Sequence, residues 1–158
     1  MTPAINLLRR EDIAHTVRSY THEEHADSFG NEAVAKLGLD PAHVFKTLLA
    51  SSATHELLVA IVPVTGQLDL KALAQAAGCR KCTMADVDAA QRATGYLVGG
   101  ISPLAQKKRL RTFIDDSAQA LATLHVSAGR RGLEVELSPA DLARLTRATF
   151  AAIGCPRW

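Results

Sequence analysis

Val44-Phe45-Lys46-Thr47-Leu48-Leu49-Ala50-Ser51 and Glu56-Leu57-Leu58-Val59-Ala60-Ile61-Val62-Pro63-Val64 decide the fold class. Both runs are rich in Val, Leu and Ile, residues that suit a pleated, half-buried surface. The polar stretch Ser51-Ser52-Ala53-Thr54-His55 lies between them, so they read as a strand pair. The longest apolar run, Leu57 to Val64, has eight residues, whereas a membrane-spanning helix needs about 20.

Helix and strand signals surround this pair without strict alternation. On the C-terminal side, Asp69 to Ala77 reads as an Ala/Leu helix stopped at Gly78, and Ala85 to Thr94 as another, with Asp86 near its start and Gly95 at its end. Strands are expected at Thr112–Asp115, Ala122–Ser127 and Leu133–Leu137. Ser138-Pro139-Ala140-Asp141 then opens a last helix expected to run to about Ala152, with Ser as cap and Pro in the first turn. On the N-terminal side, Thr2 and Pro3 start a helix with Ala4, Ile5, Leu7 and Leu8 as its apolar stripe. Ala14 to Tyr20 reads as a strand, and Asn31 to Leu37 as a short helix ended by Gly38. The mixture predicts an α+β fold: a mixed β-sheet or barrel-like core with flanking helices, not a doubly wound sheet.

The chain has 158 residues, which favours one domain over 1–158. Apolar residues make up 47% and charged residues 22%, enough to bury a core without a metal or disulfide staple. Net charge is only +2, which excludes a broad histone-like basic surface and, with it, a DNA-coating role. Three cysteines without framework spacing argue against a disulfide-built secreted fold. Charges interrupt the N-terminus after Leu7-Leu8, so no signal-peptide core is present there and the chain reads as soluble and cytoplasmic.

Among the motifs, Cys79-x-x-Cys82 follows a helix stop. A redox thiolate would want a helix N-terminus after it, and a zinc site would want a second ligand pair, so the two read as inert thiols. His22-Glu23-Glu24-His25 spaces its histidines three apart rather than four, and reads as a solvated acidic loop. No nucleophile elbow, Walker loop or dinucleotide glycine triplet occurs. Gly95-Tyr96-Leu97-Val98-Gly99-Gly100-Ile101-Ser102-Pro103 is the most irregular segment, a backbone that turns sharply and visits positive φ. Lys107-Lys108-Arg109-Leu110-Arg111 follows it, and Arg130-Arg131 stands beside Ser127-Ala128-Gly129. A solvated face and an anionic ligand are equal readings of these basic groups. Lys46 interrupts an apolar strand, so it either faces water or finds an anion; periodicity does not decide.

Together, Thr2-Pro3-Ala4, Phe45-Lys46-Thr47-Leu48, Ala85-Asp86 through Ala89-Ala90, Thr94 to Pro103 with Gln106-Lys107-Lys108, and Arg131-Gly132-Leu133 resemble the YbaK family. These are free-standing Cys-tRNA(Pro) deacylases similar to the editing domain inserted in bacterial prolyl-tRNA synthetase. The resemblance runs from Met1 to about Ala152 and carries the fold named above.

The resemblance implies an aminoacyl-tRNA editing enzyme acting in trans on the tRNA(Pro) 3′ end carrying cysteine, with Cys-tRNA(Cys) as a further candidate and prolyl-tRNA synthetase as a transient partner. A synthetic pocket cannot reject a side chain of similar size by more than a few kcal/mol, which is why a second site is needed. On this resemblance Lys46 holds the phosphate of the terminal adenosine. Gly99, Gly100, Ile101, Ser102 and Pro103 form the loop around the aminoacyl carbonyl and ribose. Tyr20 and Phe29 match aromatic pocket positions, although composition equally allows ordinary core. Ser127 matches a pocket hydroxyl, with Ala128 standing where the family commonly has glycine. Thr47, Gly129 and Arg130 complete the implied substrate-binding set. The substrate's own thiol is the implied nucleophile, so the family's chemistry needs no metal, no cofactor and no protein general base. Two other readings stay open: a deacylase of Ala-tRNA(Pro) or another small mischarged residue, and a non-catalytic module binding a tRNA end or nucleotide. The tail Cys155-Pro156-Arg157-Trp158 has no counterpart in this pattern.

Overall fold

A computed structural model describes residues 1–22 and 29–156, with the backbone alone at 29 and 30. Glu23 to His25 of the histidine-containing loop lie outside the described residues, as do Arg157 and Trp158 of the tail.

The expected strand pair is present as β2 (Phe45–Ser52) and β3 (Leu57–Pro63), antiparallel with Phe45 opposite Pro63 and Ser51 opposite Leu57. Parallel to β3 runs β6 (Arg111–Asp115), and parallel to β6 runs β9 (Thr149–Ala151). A short strand, β5 (Cys82–Met84), pairs with Ala50–Ser52 at the end of β2. The order is therefore β5-β2-β3-β6-β9. β3 is covered on both faces: Val59 and Ile61 join one core cluster, Leu58, Ala60 and Val62 the other. Burial on both faces explains its unbroken apolar run.

A second sheet, ordered β1-β8-β7, is built from β1 (Thr16–Ser19), β8 (Leu133–Leu137) and β7 (Leu124–Arg130). The two sheets meet at an isolated bridge between Val44 and His125 and, among the described residues, do not close into a barrel. The larger core lies between them and takes Phe45, Leu49, Ile114, Leu124 and Val126. It is also fed by α1 (Pro3–Arg10) through Ala4, Ile5 and Leu8, and by α5 (Pro139–Thr146) through Leu142. α3 (Leu70–Ala77) covers the far face with Leu73 and Ala74. The remaining α-helices of the described residues are α2 (Phe29–Leu37) and α4 (Val87–Thr94).

The start signals work as chemistry predicts. Thr2, Asp69, Asp86 and Ser138 each accept a backbone N–H from the first turn of α1, α3, α4 and α5. Thr2 also donates its hydroxyl to Ala128 O, tying the head of α1 to β7.

The last helix departs from expectation. It ends at Thr146, with Arg147 left-handed at φ 55° and its N–H turned back to Ala143 and Arg144. Thr149–Ala151 then becomes the edge strand β9. The buried Asp115 carboxylate holds the following turn, accepting from Ile153 N at 3.1 Å and Gly154 N at 2.7 Å. Those bonds position β10 (Gly154–Cys155) against β4 (Gln67–Leu68). β7 likewise runs past Ser127 to Arg130, through a bulge at which Gly129 sits at φ 115°.

Candidate active site

β5 stops pairing with β2 at Ala50, so among the described residues no strand pairs with β2 on that side from Phe45 to Leu48, although β7 bridges to Val44 just before it. A cavity of about 360 Å³ opens along this edge. Side chains alternate along a strand, yet Phe45, Lys46, Thr47, Leu48 and Leu49 all line it, because the cavity meets the strand edge-on. A free edge presents unpaired backbone N–H and C=O groups to whatever enters. The opposite wall comes from Ser127 and Glu134 of the second sheet and from Tyr20, which follows β1. α4 contributes Val87 and Ala90, and the glycine loop contributes Val98, Gly99 and Ile101.

Tyr20, Lys46, Thr47, Gly99, Ile101 and Ser127 thus come together around one space. Lys46 is half-buried and has no acidic partner among the described residues. Burial lowers its pKa, since the charged form loses water without gaining a counter-ion. Thr47 Oγ1 is buried with no hydrogen-bond partner among the described residues. Ser127 Oγ accepts from Gly129 N at 3.2 Å, so the bulge fixes its hydroxyl.

Gly100, Ser102, Pro103, Gly129 and Arg130 do not line the cavity. Ser102 is fully buried; its Oγ accepts from Leu104 N at 3.2 Å, and its carbonyl accepts from Gln106 Nε2 at 3.0 Å. Pro103 is buried beside it. Gly100 presses on the β7–β8 turn, where an added Cβ would stand 2.5 Å from Arg130 Cα and 2.6 Å from Arg131 N. Gly129 packs against Tyr96, whose hydroxyl donates to Leu104 O at 2.7 Å. These residues brace the loop from behind. Phe29 opens α2, but its side chain falls outside the described residues.

Glu134 was not among the expected site residues. It is only 7% exposed, lines the cavity, and burial pushes its carboxyl up to about 8. Tyr20 feels both burial and this carboxylate, and its phenol is shifted upward. In Leu133-Glu134-Val135-Glu136-Leu137 the two glutamates share a face, which reads as solvated. Glu136 fits that reading: it pairs with Arg18 at 2.8 Å. Glu134, one period earlier, faces the cavity instead. The only signal was its register opposite Ser127, which sequence does not show.

A carboxyl protonated up to about 8 in the fold but only to about 4.5 when unfolded makes the native state the stronger proton binder between those values. Stability contributed by this group is therefore complete below about 4.5 and lost as pH rises through about 8. Glu134→Gln is expected to remove that loss, so its Tm should rise relative to wild type between pH 5 and 8.5. Thermal unfolding of both proteins at the two pH values is the check; an unchanged Tm difference would mean that Glu134 titrates as an ordinary surface carboxylate.

Cys79 and Cys82 are free thiols bordering a separate concavity of about 330 Å³ between α3 and β5, with Lys71, Arg80 and Lys81 around it. Arg111, beside Cys79, is held by Glu56 at 2.8 Å. Among the described residues no group of three His, Cys, Asp or Glu side chains could hold a metal ion, and no helix is long and apolar enough to cross a membrane.

Comparison with known proteins bears on this geometry. EbsC of Enterococcus faecalis, which carries a provisional Cys-tRNA(Pro)/Cys-tRNA(Cys) deacylase name, is 34% identical over 96% of this chain and 92% of its own length. Among solved structures, one described provisionally as a trans-editing enzyme for prolyl tRNA synthetase superposes with a TM-score of 0.82 at 18% identity, covering 99% of each chain. A hypothetical protein, APE2540, does so with a TM-score of 0.85 at 20% identity, covering 96% of this chain and 99% of its own. At such identities these two likenesses speak for the fold alone. The profile of the aminoacyl-tRNA editing domain matches residues 23–145, and with it every described wall of the cavity except Tyr20; the chain belongs to the aminoacyl-tRNA editing domain family.

Proposed function

We propose that residues 1–158 act as one free-standing editing domain that removes cysteine from Cys-tRNA(Pro), with Cys-tRNA(Cys) as a second substrate. The observation that carries this reading is Lys46: a half-desolvated cation with no acidic partner among the described residues, on the wall of a mostly apolar cavity. An incoming phosphate restores the partner that burial denies it. Opposite, Glu134 offers a carboxyl for the substrate's α-ammonium group, and the apolar wall suits a small side chain. The name of the Enterococcus faecalis relative supports the choice of cysteine.

In the proposed reaction the substrate thiol gives up its proton and its sulfur attacks the ester carbonyl carbon of the same residue. A C–S bond forms and the C–O bond to the ribose breaks. The ribose oxygen takes a proton, and a four-membered thiolactone leaves, to be opened later by water. The protein orients the thiol and stabilises the developing oxyanion, for which backbone N–H groups along the β2 edge and the glycine loop are available. Such work belongs in the cytoplasm, where a transient complex with prolyl-tRNA synthetase would present the mischarged RNA.

Lys46→Ala is expected to fold normally and to lose deacylation tenfold to a hundredfold, the equivalent of about 1.5–3 kcal/mol for one charge-assisted contact. Deacylation of Cys-, Ala- and Ser-tRNA(Pro) by wild type and variant is the measurement. Near-wild-type turnover by a folded Lys46→Ala protein would overturn the assignment. Equal turnover of Ala-tRNA(Pro) would move the specificity to small residues generally, and binding without turnover of any of them would leave a recognition module.

A further inference from the structure

If the cavity of about 360 Å³ takes the aminoacylated end of a substrate, the nucleotides that precede that end need a seat outside it. Beside its mouth the chain gathers features with no use inside the fold. Leu97 and Val98 are 73% and 48% exposed, on the loop that continues into Gly99 of the cavity wall. Val98 N donates to Gln91 Oε1 at 2.9 Å, which holds this part of the loop against α4. Lys107 N and Lys108 N donate to Thr94 O and Ala93 O, each at 2.9 Å, so the basic segment is laid across the C-terminal end of α4. Lys107 Cβ lies 3.5 Å from the position a Cβ would take on Gly95. Arg92, Lys107, Lys108 and Arg109 are all exposed, and none has an acidic partner among the described residues. The acidic residues of this element, Asp86 and Asp88, sit at its opposite end.

We infer that this shelf seats the RNA strand leading into the cavity, with the Leu97–Val98 pair taking the face of an unpaired nucleobase and the cations taking backbone phosphates. The inference rests on the reading that the cavity receives an aminoacylated RNA end. Apolar surface flanked by cations that have no acidic partner among the described residues fits a single strand better than a protein partner, because bases offer flat apolar faces at regular spacing between negative charges. The cations also suit the negative end of the α4 dipole, a local role that would leave RNA binding unaffected by their loss.

The test is binding of uncharged tRNA(Pro) by fluorescence anisotropy between about 50 and 200 mM salt, a range over which phosphate contacts show themselves. Lys107→Ala/Lys108→Ala/Arg109→Ala is compared with Lys71→Ala/Arg80→Ala/Lys81→Ala, which removes the same charge at the α3–β5 concavity. The shelf variant is expected to bind at least tenfold more weakly, with the slope of log K against log salt reduced by about 2, as about 0.7–0.9 is lost per phosphate contact. The control should stay within twofold of wild type, and both variants should keep the wild-type Tm. Wild-type affinity and slope in the shelf variant, or equal weakening in the control, would overturn the inference. Cleavage of a cysteinyl ester of adenosine, too short to reach the shelf, should be equal in all three proteins. Failure of wild type to cleave it sinks the editing reaction while the binding titration still decides the shelf.

Discussion

Gly100→Val is expected to lower deacylation at least about a hundredfold, the loss expected when a positioning element is displaced by about 1 Å. Its missing side chain is filled by backbone, not by a flexible neighbour: Arg130 Cα, Arg131 N and Arg130 C would lie 2.5 to 2.7 Å from a new Cβ. The β7–β8 turn cannot yield without moving Ser127 and the bulge, so the loop must lift and carry Gly99 and Ile101 out of the cavity wall. Such overpacking costs about 1–3 kcal/mol, which thermal unfolding would register beside the kinetic loss. Ser102→Ala is the informative contrast. Its hydroxyl is buried on Leu104 N, away from the cavity, so removal should cost about 1–3 kcal/mol of stability and leave measurable turnover. Single-turnover deacylation separates the two. Abolished turnover in Ser102→Ala with tolerance of Gly100→Val would make Ser102 the nucleophile and end the substrate-assisted reading.

Changing the substrate should have an effect of similar size. Ser-tRNA(Pro) differs from Cys-tRNA(Pro) by one atom and fits the same space. A thiol with a pKa near about 8.5 is a few per cent thiolate at neutral pH, whereas a hydroxyl is essentially never ionised. If sulfur attacks the carbonyl, the serine ester should be cleaved at least about a hundredfold more slowly, with no comparable loss in binding. Comparable rates for the two esters would transfer the nucleophile to water or to the protein. Cys-tRNA(Pro) cleavage should also release a thiolactone before free cysteine, which rapid quenching and mass analysis would detect.

What could be read from sequence tracked physical scale. β2 and β3 were legible because eight and seven residues of apolar strand leave little choice. The capped helices were legible because Thr2, Asp69, Asp86 and Ser138 satisfy their own first turns. β5, β9 and β10 were not, since strands of two or three residues carry no periodicity and exist through tertiary partners such as the Asp115 carboxylate. The same division runs through the site. Lys46 and the glycine loop stood out locally, and Tyr20 and Ser127 entered through resemblance. Glu134 needed the register of β7 against β8, a fact of three dimensions. Ser102 and Gly100 stood close together in the sequence, and nothing there told a buried brace from a lining residue.

The walls of the cavity have a consequence for synthesis. They are drawn from Tyr20 at one end of the chain to Glu134 at the other, and β6 must cross from β3 to lie parallel to it before the sheet is whole. Pairings this distant in sequence form late, because the entropy of closing the intervening loop precedes any gain. A ribosome-bound chain can form the β2–β3 hairpin early, yet it has no substrate site until Glu134 has cleared the exit tunnel. Nascent fragments therefore expose the β2 edge without the walls that make it selective, and the site is complete only once the β7–β8 pair has brought Ser127 and Glu134 to it.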